Sequence, residues 1–305
     1  MRAIVTKSTG SWFTLQAENG KESFSARLRG SLRLSGATST APVVVGDWVV
    51  ALQNSVGEWI IDSVEQRKNY LVRKSTNLSR QKHIIASNID TLYVVASLRE
   101  PETSFEFIDR VLVAAQAYSV EAKIVINKCD IAMPSEEFLV IYRKAGYEVF
   151  IVSATTGEGV SELRDEVRGK VVLFSGNSGV GKSSLINAID PNLELKTGEI
   201  SSYHKKGKHT TTFSEIFNFG ESGYLIDTPG IKGFGLVDIE KEELWHYFPE
   251  IMRYAPDCSF YNCTHTHEPK CAVRKAVEND DIAPERYFSY IKMIEEDEQK
   301  NNKYR

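Results

Sequence analysis

Residues 176–183 read GNSGVGKS, and an earlier stretch at 127–130 reads NKCD. The first stretch fits the phosphate-loop pattern G-x-x-x-x-G-K-S/T, in which backbone N–H groups surround the phosphates of a nucleotide. In that pattern Lys182 reaches the β- and γ-phosphates, and the hydroxyl of Ser183 binds Mg²⁺. An apolar strand, KVVLFSG, precedes the loop and a helical segment, KSSLINAI, follows it, as the pattern requires. These residues predict a nucleotide-binding α/β domain.

The phosphate side of this predicted site includes two later segments. DTPG at 227–230 closes the apolar strand GYLID, so Asp227 is expected to hold Mg²⁺ through water and the N–H of Gly230 to contact the γ-phosphate. The basic stretch SSYHKKGKHTTTF lies between the two motifs, and one threonine of Thr210–Thr212 should complete the Mg²⁺ shell, with Thr211 favoured by analogy with other switch loops. The residues expected around the phosphates within the loop are Gly176, Asn177, Ser178, Gly179, Val180, Gly181, Lys182, Ser183 and Ser184.

The stretch NKCD follows the apolar strand AKIVI and has the pattern with which Ras-superfamily GTPases read guanine. The carboxylate of Asp130 matches the N1 and N2 donors of guanine, a pair that adenine lacks, which disfavours ATP. VSAT at 152–155 ends the next predicted strand and matches a short loop whose backbone N–H contacts guanine O6. The expected guanine-binding residues are Asn127, Lys128, Cys129, Asp130, Ser153 and Ala154.

The order of these motifs is the reverse of the usual one, because the base reader precedes the phosphate loop. A circular permutation explains this order, since a site depends on positions in space and domain termini often lie close together at the surface. Strands alternate with helices over this part of the chain, which predicts a parallel α/β sheet. One of these helices is expected to begin with a capping box formed by Thr103 and Glu106.

The N-terminal 70 residues read as short strands separated by turn segments, which predicts a small barrel or sandwich such as a five-stranded oligonucleotide-binding barrel. Residues 1–82 hold twelve Lys and Arg against six Asp and Glu, although the whole chain has a net charge of -4. A basic end favours a nucleic-acid partner. The aromatic residues that could present stacking faces or lie in the core are Trp12, Phe13, Trp48 and Trp59. Residues 71–87 are polar and basic and are interpreted as a linker.

Three of the four cysteines lie within residues 258–271, in a chain that shows no export signal. Such a cluster favours metal binding over disulfides. Cys258, Cys263 and Cys271, with His265 or His267, would form a closed tetrahedral Zn²⁺ site of structural type. The metal would stabilise a short helical domain that has little core of its own.

Taken together, NKCD, GNSGVGKSS, KHTTT, DTPG and the cysteine cluster resemble the RsgA-type (YjeQ/YloQ-type) small-ribosomal-subunit biogenesis GTPases, over essentially the whole chain. The resemblance implies a multidomain α/β protein with an OB-fold RNA-binding barrel (1–70), a circularly permuted P-loop GTPase domain (71–235) and a C-terminal helical zinc-binding domain (236–305). It implies GTP hydrolysis stimulated by the small ribosomal subunit during late maturation of that subunit, contacts with rRNA, one structural Zn²⁺, Mg²⁺ bound with GTP, and His265 as the fourth zinc ligand.

GTP hydrolysis needs a group that positions the attacking water. Ile231 stands after the DTPG glycine, where Ras-like enzymes carry the glutamine that orients water. His209 is the candidate for that role, with Lys182 and Thr211 as the other catalytic candidates, and we expect slow basal turnover that a partner activates. The alternatives are a nucleotide-gated rRNA-binding assembly factor with negligible hydrolysis and a small-molecule kinase, against which NKCD argues.

No apolar run approaches the length of a membrane span, and the N-terminus has no apolar signal core. We therefore expect a cytoplasmic protein with no membrane partner. We also expect a monomer whose partners are GTP or GDP and the small ribosomal subunit.

Overall fold

The computed structural model describes residues 1–20, 22–30, 42–73, 83–193, 195, 215–219, 223–227 and 239–302. Its first five strands form a closed barrel: β1 (Arg2–Ser8), β2 (Trp12–Ala17), β3 (Ser23–Leu28), β4 (Trp48–Gln53) and β5 (Trp59–Val64). The order around the barrel is β1-β2-β3-β5-β4, with β4 pairing back to β1 and with β3 and β5 parallel. Alternate residues of these strands fill the interior, among them Val5, Leu15, Val49 and Ile61. The predicted OB-fold barrel is confirmed.

The aromatic residues of the barrel divide between its surface and its interior. Trp12 is 43% exposed, and the guanidinium of Arg27 lies 4.1 Å from the centre of its ring. Phe13 is buried in the barrel core, whereas the half-buried Trp59 packs on Phe24 with ring centres 4.6 Å apart. Half-buried Trp48 lies under Arg2, 4.1 Å from its guanidinium carbon. Phe13 is therefore a core residue, and Trp12 offers a surface ring.

Interpreting residues 71–87 as a linker is wrong, because two strands form there. β6 (Tyr70–Arg73) pairs antiparallel with β7 (His83–Ser87), and Leu71 lies opposite Ala86. Both of these residues are fully buried and belong to the same apolar cluster as the central sheet. The segment is polar on average, but the burial of a few apolar side chains stabilises the two strands.

Six further strands form the nucleotide-type sheet: β8 (Thr91–Ala96), β9 (Glu121–Ile126), β10 (Val149–Ile151), β11 (Val171–Ser175), β12 (Glu215–Phe219) and β13 (Gly223–Asp227). Their order is β10-β9-β8-β11-β13-β12, and every neighbouring pair is parallel except β12–β13. The strand before the phosphate loop, β11, is thus central in the sheet although three of its strands precede it in the chain. This order confirms the predicted parallel sheet and its circular permutation.

Helices cover both faces of this sheet. α1 (Phe105–Ala117) and α2 (Glu136–Lys144) pack on one face, and α3 (Val160–Val167) and α4 (Lys182–Ile189) pack on the other. Consecutive residues of β8 alternate between the two clusters, with Val94 in the first and Val95 in the second. Because both faces are buried, all six residues of β8 are buried.

The capping box predicted for α1 does not form. Ser104 caps the helix instead, because its hydroxyl accepts a hydrogen bond from the N–H of Phe107 at 3.3 Å. The hydroxyl of Thr103 turns inward and accepts from the N–H of Ser97 at 3.1 Å, which closes the loop between β8 and α1. The local sequence predicts that the Thr103 side chain caps the helix, but in the structure this side chain makes a tertiary contact with Ser97 instead.

The C-terminal part consists of short helices around a small core. Its helices are α5 (Pro249–Tyr254), α6 (Ala272–Glu278) and α7 (Pro284–Asn302). Two 3₁₀ turns flank α5, Leu244–Tyr247 before it and Ala255–Asp257 after it. A further 3₁₀ turn, Pro191–Leu193, follows α4. No helix among the residues described is both long and apolar enough to cross a membrane. The domain boundaries at 70/71 and 235/236 stay predictions, and the second lies outside the described residues.

A buried ion-pair cluster joins this C-terminal part to the central domain. Arg286 of α7 is fully buried and donates hydrogen bonds to Glu250 of α5 and to Asp109 of α1, each at 2.7 Å. Burial raises the pKa of Asp109, while the charge of Arg286 opposes that rise. Val113 of α1 belongs to the apolar core of the C-terminal part, so the contact has both ionic and apolar components.

Candidate functional site

The candidate nucleotide-binding residues lie at one edge of the central sheet. The loops that carry them follow β11 (176–181), β9 (127–130) and β10 (152–155), and β13 ends at Asp227. These strands are parallel, so their carboxyl ends meet at the same edge, where open α/β sheets bind ligands. The fold therefore brings together the motifs whose order in the chain is permuted.

The phosphate loop turns sharply into α4, and its glycines permit the turn. Gly181 precedes the first helical residue with φ 89°, in the left-handed region that glycine adopts easily. A Cβ atom there would lie 2.4 Å from Nδ2 of Asn127, and a Cβ at Gly176 would lie 2.2 Å from the carbonyl oxygen of Val95. Glycine is thus required at both positions, because the side chain of Asn127 approaches Gly181 and the backbone of β8 approaches Gly176.

Lys182 folds back over the loop that precedes it. Its Nζ donates to the carbonyl oxygens of Gly176 at 2.6 Å and Asn177 at 2.7 Å. The ammonium group therefore lies inside the loop, where a P-loop lysine contacts phosphate oxygens. Burial lowers the pKa of Lys182 to about 8. An anion bound in the loop would oppose that shift, because it favours the charged ammonium. Ser183, the next residue, is buried beside it.

Asn127 connects three of the predicted segments. Its Nδ2 donates to the carbonyl oxygen of Val180 in the phosphate loop at 2.9 Å, and its Oδ1 accepts from the N–H of Ala154 at 3.1 Å. Asn127 is 1% exposed, so its hydrogen bond to Val180 is shielded from water, and the one from the partly exposed Ala154 is shielded in part. This residue fixes the base-reader loop against both the phosphate loop and the 152–155 loop.

The Asp130 carboxylate is exposed at the open side of the site and is oriented by a buried serine. The hydroxyl of Ser153 donates to Oδ1 of Asp130 at 2.5 Å and accepts from the N–H groups of Thr155 and Thr156. Cys129, between Lys128 and Asp130, is buried, and its thiol lies 3.6 Å from a carboxylate oxygen of Glu158. The two loops therefore hold one carboxylate in a defined direction at the rim.

The loop between β8 and α1, which carries none of the predicted motifs, also lines this site. The Nζ of Lys128 donates to the carbonyl oxygen of Glu100, in the loop between β8 and α1. A Cβ on Gly179 would lie 3.2 Å from Cδ of Pro101 in the same loop. No sequence motif predicts that these residues line the site. They contribute a backbone carbonyl and a proline ring, and the order of the strands in the sheet brings their loop to this position.

Several predicted site residues cannot be placed. Thr211, His209 and Gly230 lie outside the described residues, and for Asp227 the structure gives the backbone as the last residue of β13. Their roles therefore stay predictions.

Three cysteines and one histidine converge in the C-terminal part. The ligand atoms of Cys258, Cys263, His265 and Cys271 all lie within 4.8 Å of one another. Nδ1 of His265 lies 3.5 Å from the sulfur of Cys258 and 3.6 Å from that of Cys271, and these two sulfurs are 3.8 Å apart. Burial lowers the pKa of His265, which favours the neutral ring that binds metals. This cluster could hold a metal ion.

The other candidate histidine points away from the cluster. The Nδ1 atom of His267 lies 2.8 Å from the hydroxyl of Thr266, and the side chain is exposed. Glu268 orders this segment by accepting from Thr264 and from the N–H groups of Thr266 and His267. Burial alone would raise the pKa of Glu268, but these hydrogen bonds lower it to about 2.

Two tyrosines of α7 contact the backbone of the loop that carries the cysteine–histidine cluster. The hydroxyl of Tyr290 donates to the carbonyl oxygen of Thr264 at 2.6 Å, and that of Tyr287 donates to the carbonyl oxygen of His265 at 2.8 Å. The longest C-terminal helix thus fixes the backbone that presents His265.

Comparison with known proteins gives one consistent family. A family model described as RsgA GTPase matches residues 64–237. A protein of Bacteroides fragilis (strain YCH46) named small ribosomal subunit biogenesis GTPase RsgA is 51% identical over 310 residues, which cover 100% of this chain and 99% of that protein. A similarly named protein of Flavobacterium psychrophilum is 47% identical and covers 98% of this chain and 94% of its own length.

Solved structures agree with this result. The crystal structure of YjeQ from Thermotoga maritima superposes with a TM-score of 0.77 at 36% identity, over 97% of each chain. A structure described as YloQ, a circularly permuted GTPase, has a TM-score of 0.75 at 28% identity and covers 98% of this chain and 95% of its own. On these matches, and on the permuted sheet and converging motifs described above, the chain belongs to the RsgA GTPase family.

Proposed function

We propose that this GTP hydrolase acts in late maturation of the small ribosomal subunit, to which it binds and which stimulates its hydrolysis of GTP to GDP and phosphate. The convergence of the base-reader and phosphate loops on Asn127 carries the nucleotide part of this proposal. The relatives named as small ribosomal subunit biogenesis GTPases, which match over the full chain, support the partner.

Guanine is selected by the loops that follow β9 and β10. Asp130 accepts from guanine N1 and N2, and the stem of Lys128 lies against the base. The N–H of Ala154, which donates to Oδ1 of Asn127 in the structure, is shared with guanine O6 when the base binds. The hydrogen bond from Ser153 supports this role, because it directs the Asp130 carboxylate before any base binds. A carboxylate held in advance costs less conformational entropy on binding than one that must be ordered.

The phosphates bind in the loop from Gly176 to Ser184, where α4 directs its first N–H groups outward. Lys182 transfers its hydrogen bonds from the loop carbonyls to the β- and γ-phosphates. The hydroxyl of Ser183, with Thr211 and Asp227, holds the Mg²⁺ that neutralises the phosphate charge. The N–H of Gly230 contacts the γ-phosphate and responds to its loss.

Hydrolysis depends on a group that positions water, because Ile231 replaces the usual glutamine. His209 is the candidate within the chain, and the ribosomal subunit orders it or supplies the missing group. Slow turnover by the free protein and strong activation by the subunit follow from this arrangement.

The metal cluster holds one structural Zn²⁺. With Zn–S near 2.3 Å and Zn–N near 2.0–2.1 Å, a tetrahedral site has edges of about 3.8 Å between sulfurs and about 3.5 Å from sulfur to nitrogen. The distances of 3.8, 3.5 and 3.6 Å among Cys258, Cys271 and His265 support this geometry. Four protein ligands leave no open position, so the ion supports the fold of the C-terminal part.

The barrel contacts rRNA. Its OB topology and the exposed ring of Trp12 beside Arg27 support this partner. The basic excess of residues 1–82, which include the barrel and the segment after it, supports it as well. We propose that the protein works as a monomer in the cytoplasm, where the small ribosomal subunit is assembled.

GTP hydrolysis by the purified protein, measured alone and with purified small or large subunits, tests the proposal. Lys182→Ala serves as the control for contaminating GTPases. We expect strong stimulation by small subunits and none by large subunits. Absence of stimulation by either would contradict the proposal and favour a nucleotide-gated rRNA-binding factor, and equal stimulation by both would refute the stated partner.

A further inference from the structure

The first strand of the barrel continues the sheet that carries the nucleotide loops. β1 pairs antiparallel with β12, the strand at the edge of that sheet, and Lys7 lies opposite Glu215. The Nζ atom of Lys7 lies 3.0 Å from each carboxylate oxygen of Glu215. The barrel and the nucleotide sheet are thus joined by a strand pairing and by a bidentate ion pair.

This contact is one strand away from the candidate Mg²⁺ aspartate. Glu215 is the register partner of Lys7 on one side and of Asp227 on the other. Three adjacent strands therefore place Lys7, Glu215 and Asp227 in one row across the sheet. β12 and β13 pair over five residues, so a displacement at the end of β13 is transmitted to β12 without a flexible link.

Apolar packing and a second polar contact support the same connection. Ile4 of β1, Ile216 of β12 and Ile226 of β13 are each at most 5% exposed and belong to one apolar cluster. Nε2 of Gln16, on β2, lies 3.5 Å from Oδ1 of Asn218 on β12. The side chain of Glu215 is 20% exposed, so water screens its ion pair with Lys7 only in part.

We infer that Lys7 and Glu215 are positioning residues that couple the nucleotide state of the site to the orientation of the barrel. The inference rests on the proposed function, since it needs a small subunit that binds the barrel and a nucleotide that changes the end of β13. Coupling between two binding sites is reciprocal, so a subunit held by the barrel also biases the nucleotide site. The ion pair fixes the barrel against β12, and reversing one charge replaces attraction by repulsion.

The test compares the affinity of the full-length protein for purified small subunits when it is loaded with a non-hydrolysable GTP analogue and with GDP. The ratio of the two affinities measures the coupling. Lys7→Glu and Glu215→Lys should each reduce this ratio about two- to fivefold, as expected for loss of a partly exposed ion pair. The double reversal restores the pair and should restore the ratio. Arg29 and Asp62 form an ion pair within the barrel, and its reversal by Arg29→Glu with Asp62→Arg is the matched control.

If Lys7 contacted RNA directly, Lys7→Glu would weaken binding in both nucleotide states and the double reversal would not rescue it, which would overturn the inference. An unchanged ratio in both single variants would overturn it as well, as would a wild-type ratio of one. The hydrolysis assay that tests the proposed function does not depend on this ratio of affinities. The proposed function and the coupling through Lys7 and Glu215 can therefore be refuted independently.

Discussion

The Nδ2 atom of Asn127 lies 2.9 Å from the carbonyl oxygen of Val180, so the base-reader loop and the phosphate loop share a hydrogen bond although 53 positions separate them. The same side chain accepts from Ala154 at 3.1 Å. Without Asn127, the carbonyl group of the buried Val180 would stay unpaired in the interior, and the part-buried N–H of Ala154 would lose its protein partner. One side chain therefore links the three loops of the site.

Asn127→Ala should lower GTP affinity by at least about tenfold and the free energy of unfolding by about 1–3 kcal/mol, because it leaves two backbone groups unpaired. Calorimetric titration with GTP and denaturant unfolding measure the two effects. Asn187→Ala is the matched control, since Asn187 also bonds a backbone N–H and carbonyl, both of Leu195, at 2.8 and 2.7 Å. The control should lose stability and keep GTP affinity within about twofold. Equal loss of affinity in both variants would contradict a specific role.

GTP affinity should fall as pH rises through the pKa of Lys182, which burial lowers to about 8. Bound phosphates favour the ammonium form, so above pH 8 binding must take up a proton. Between pH 7 and pH 9 the affinity should fall about tenfold, at fixed salt concentration. Lys182→Ala should bind weakly at both pH values and lack this extra decrease, while ionisation of the guanine affects both proteins alike. A wild-type affinity that stays flat, or an equal slope in the variant, would refute the assignment.

His265→Ala should lose most of the bound zinc, whereas His267→Ala should keep one ion per chain. Nδ1 of His265 lies among the cysteine sulfurs, and that of His267 lies against Thr266. Zinc content after dialysis, measured by mass spectrometry, distinguishes them. His265→Ala should also lower the midpoint of thermal unfolding, because metal-binding energy contributes to folding of small metal domains. Full zinc retention in His265→Ala would exclude the proposed ligand set.

Arg286→Met should destabilise the protein by about 3–5 kcal/mol, because it leaves the carboxylates of Asp109 and Glu250 buried without a partner. Thermal or denaturant unfolding measures the loss. Arg143→Met removes an exposed pair with Glu136 and should cost less than about 0.5 kcal/mol. Combining Arg286→Met with Asp109→Leu and Glu250→Gln should recover most of the stability, since no charge then remains buried. If the single variant were as stable as the control, the ion cluster would have no structural role.

Much of the central domain follows from local patterns. A phosphate loop needs glycines, a lysine and a hydroxyl residue at fixed spacing, and these requirements are visible in the sequence wherever the loop lies. The buried strand β8 reads as an apolar run because helices cover both of its faces. The permutation follows from motif order alone, because each motif keeps its flanking strand.

Other features depend on contacts between distant segments. Thr103 is a residue type that often caps helices, but its hydroxyl accepts a hydrogen bond from the N–H of Ser97, and Ser104 caps the helix instead. The pairing of β6 with β7 depends on buried partners that a polar segment does not reveal. The pairing of β1 with β12 joins residues more than 200 positions apart, and no local pattern predicts it.

The nucleotide preference of Asp130→Asn shows whether NKCD and the phosphate loop form one guanine-nucleotide site. Xanthine carries an oxygen where guanine carries its 2-amino group, so an amide at position 130 should donate to xanthine where the carboxylate accepts from guanine. Calorimetric titration of the wild type and the variant with GTP, XTP and ATP measures the preference, with Asp165→Asn on α3 as a control for loss of an exposed carboxylate. We predict that the wild type and the control bind GTP best, and that Asp130→Asn binds XTP better than GTP. An unchanged preference in Asp130→Asn would contradict the claim that NKCD and the phosphate loop form one guanine-nucleotide site.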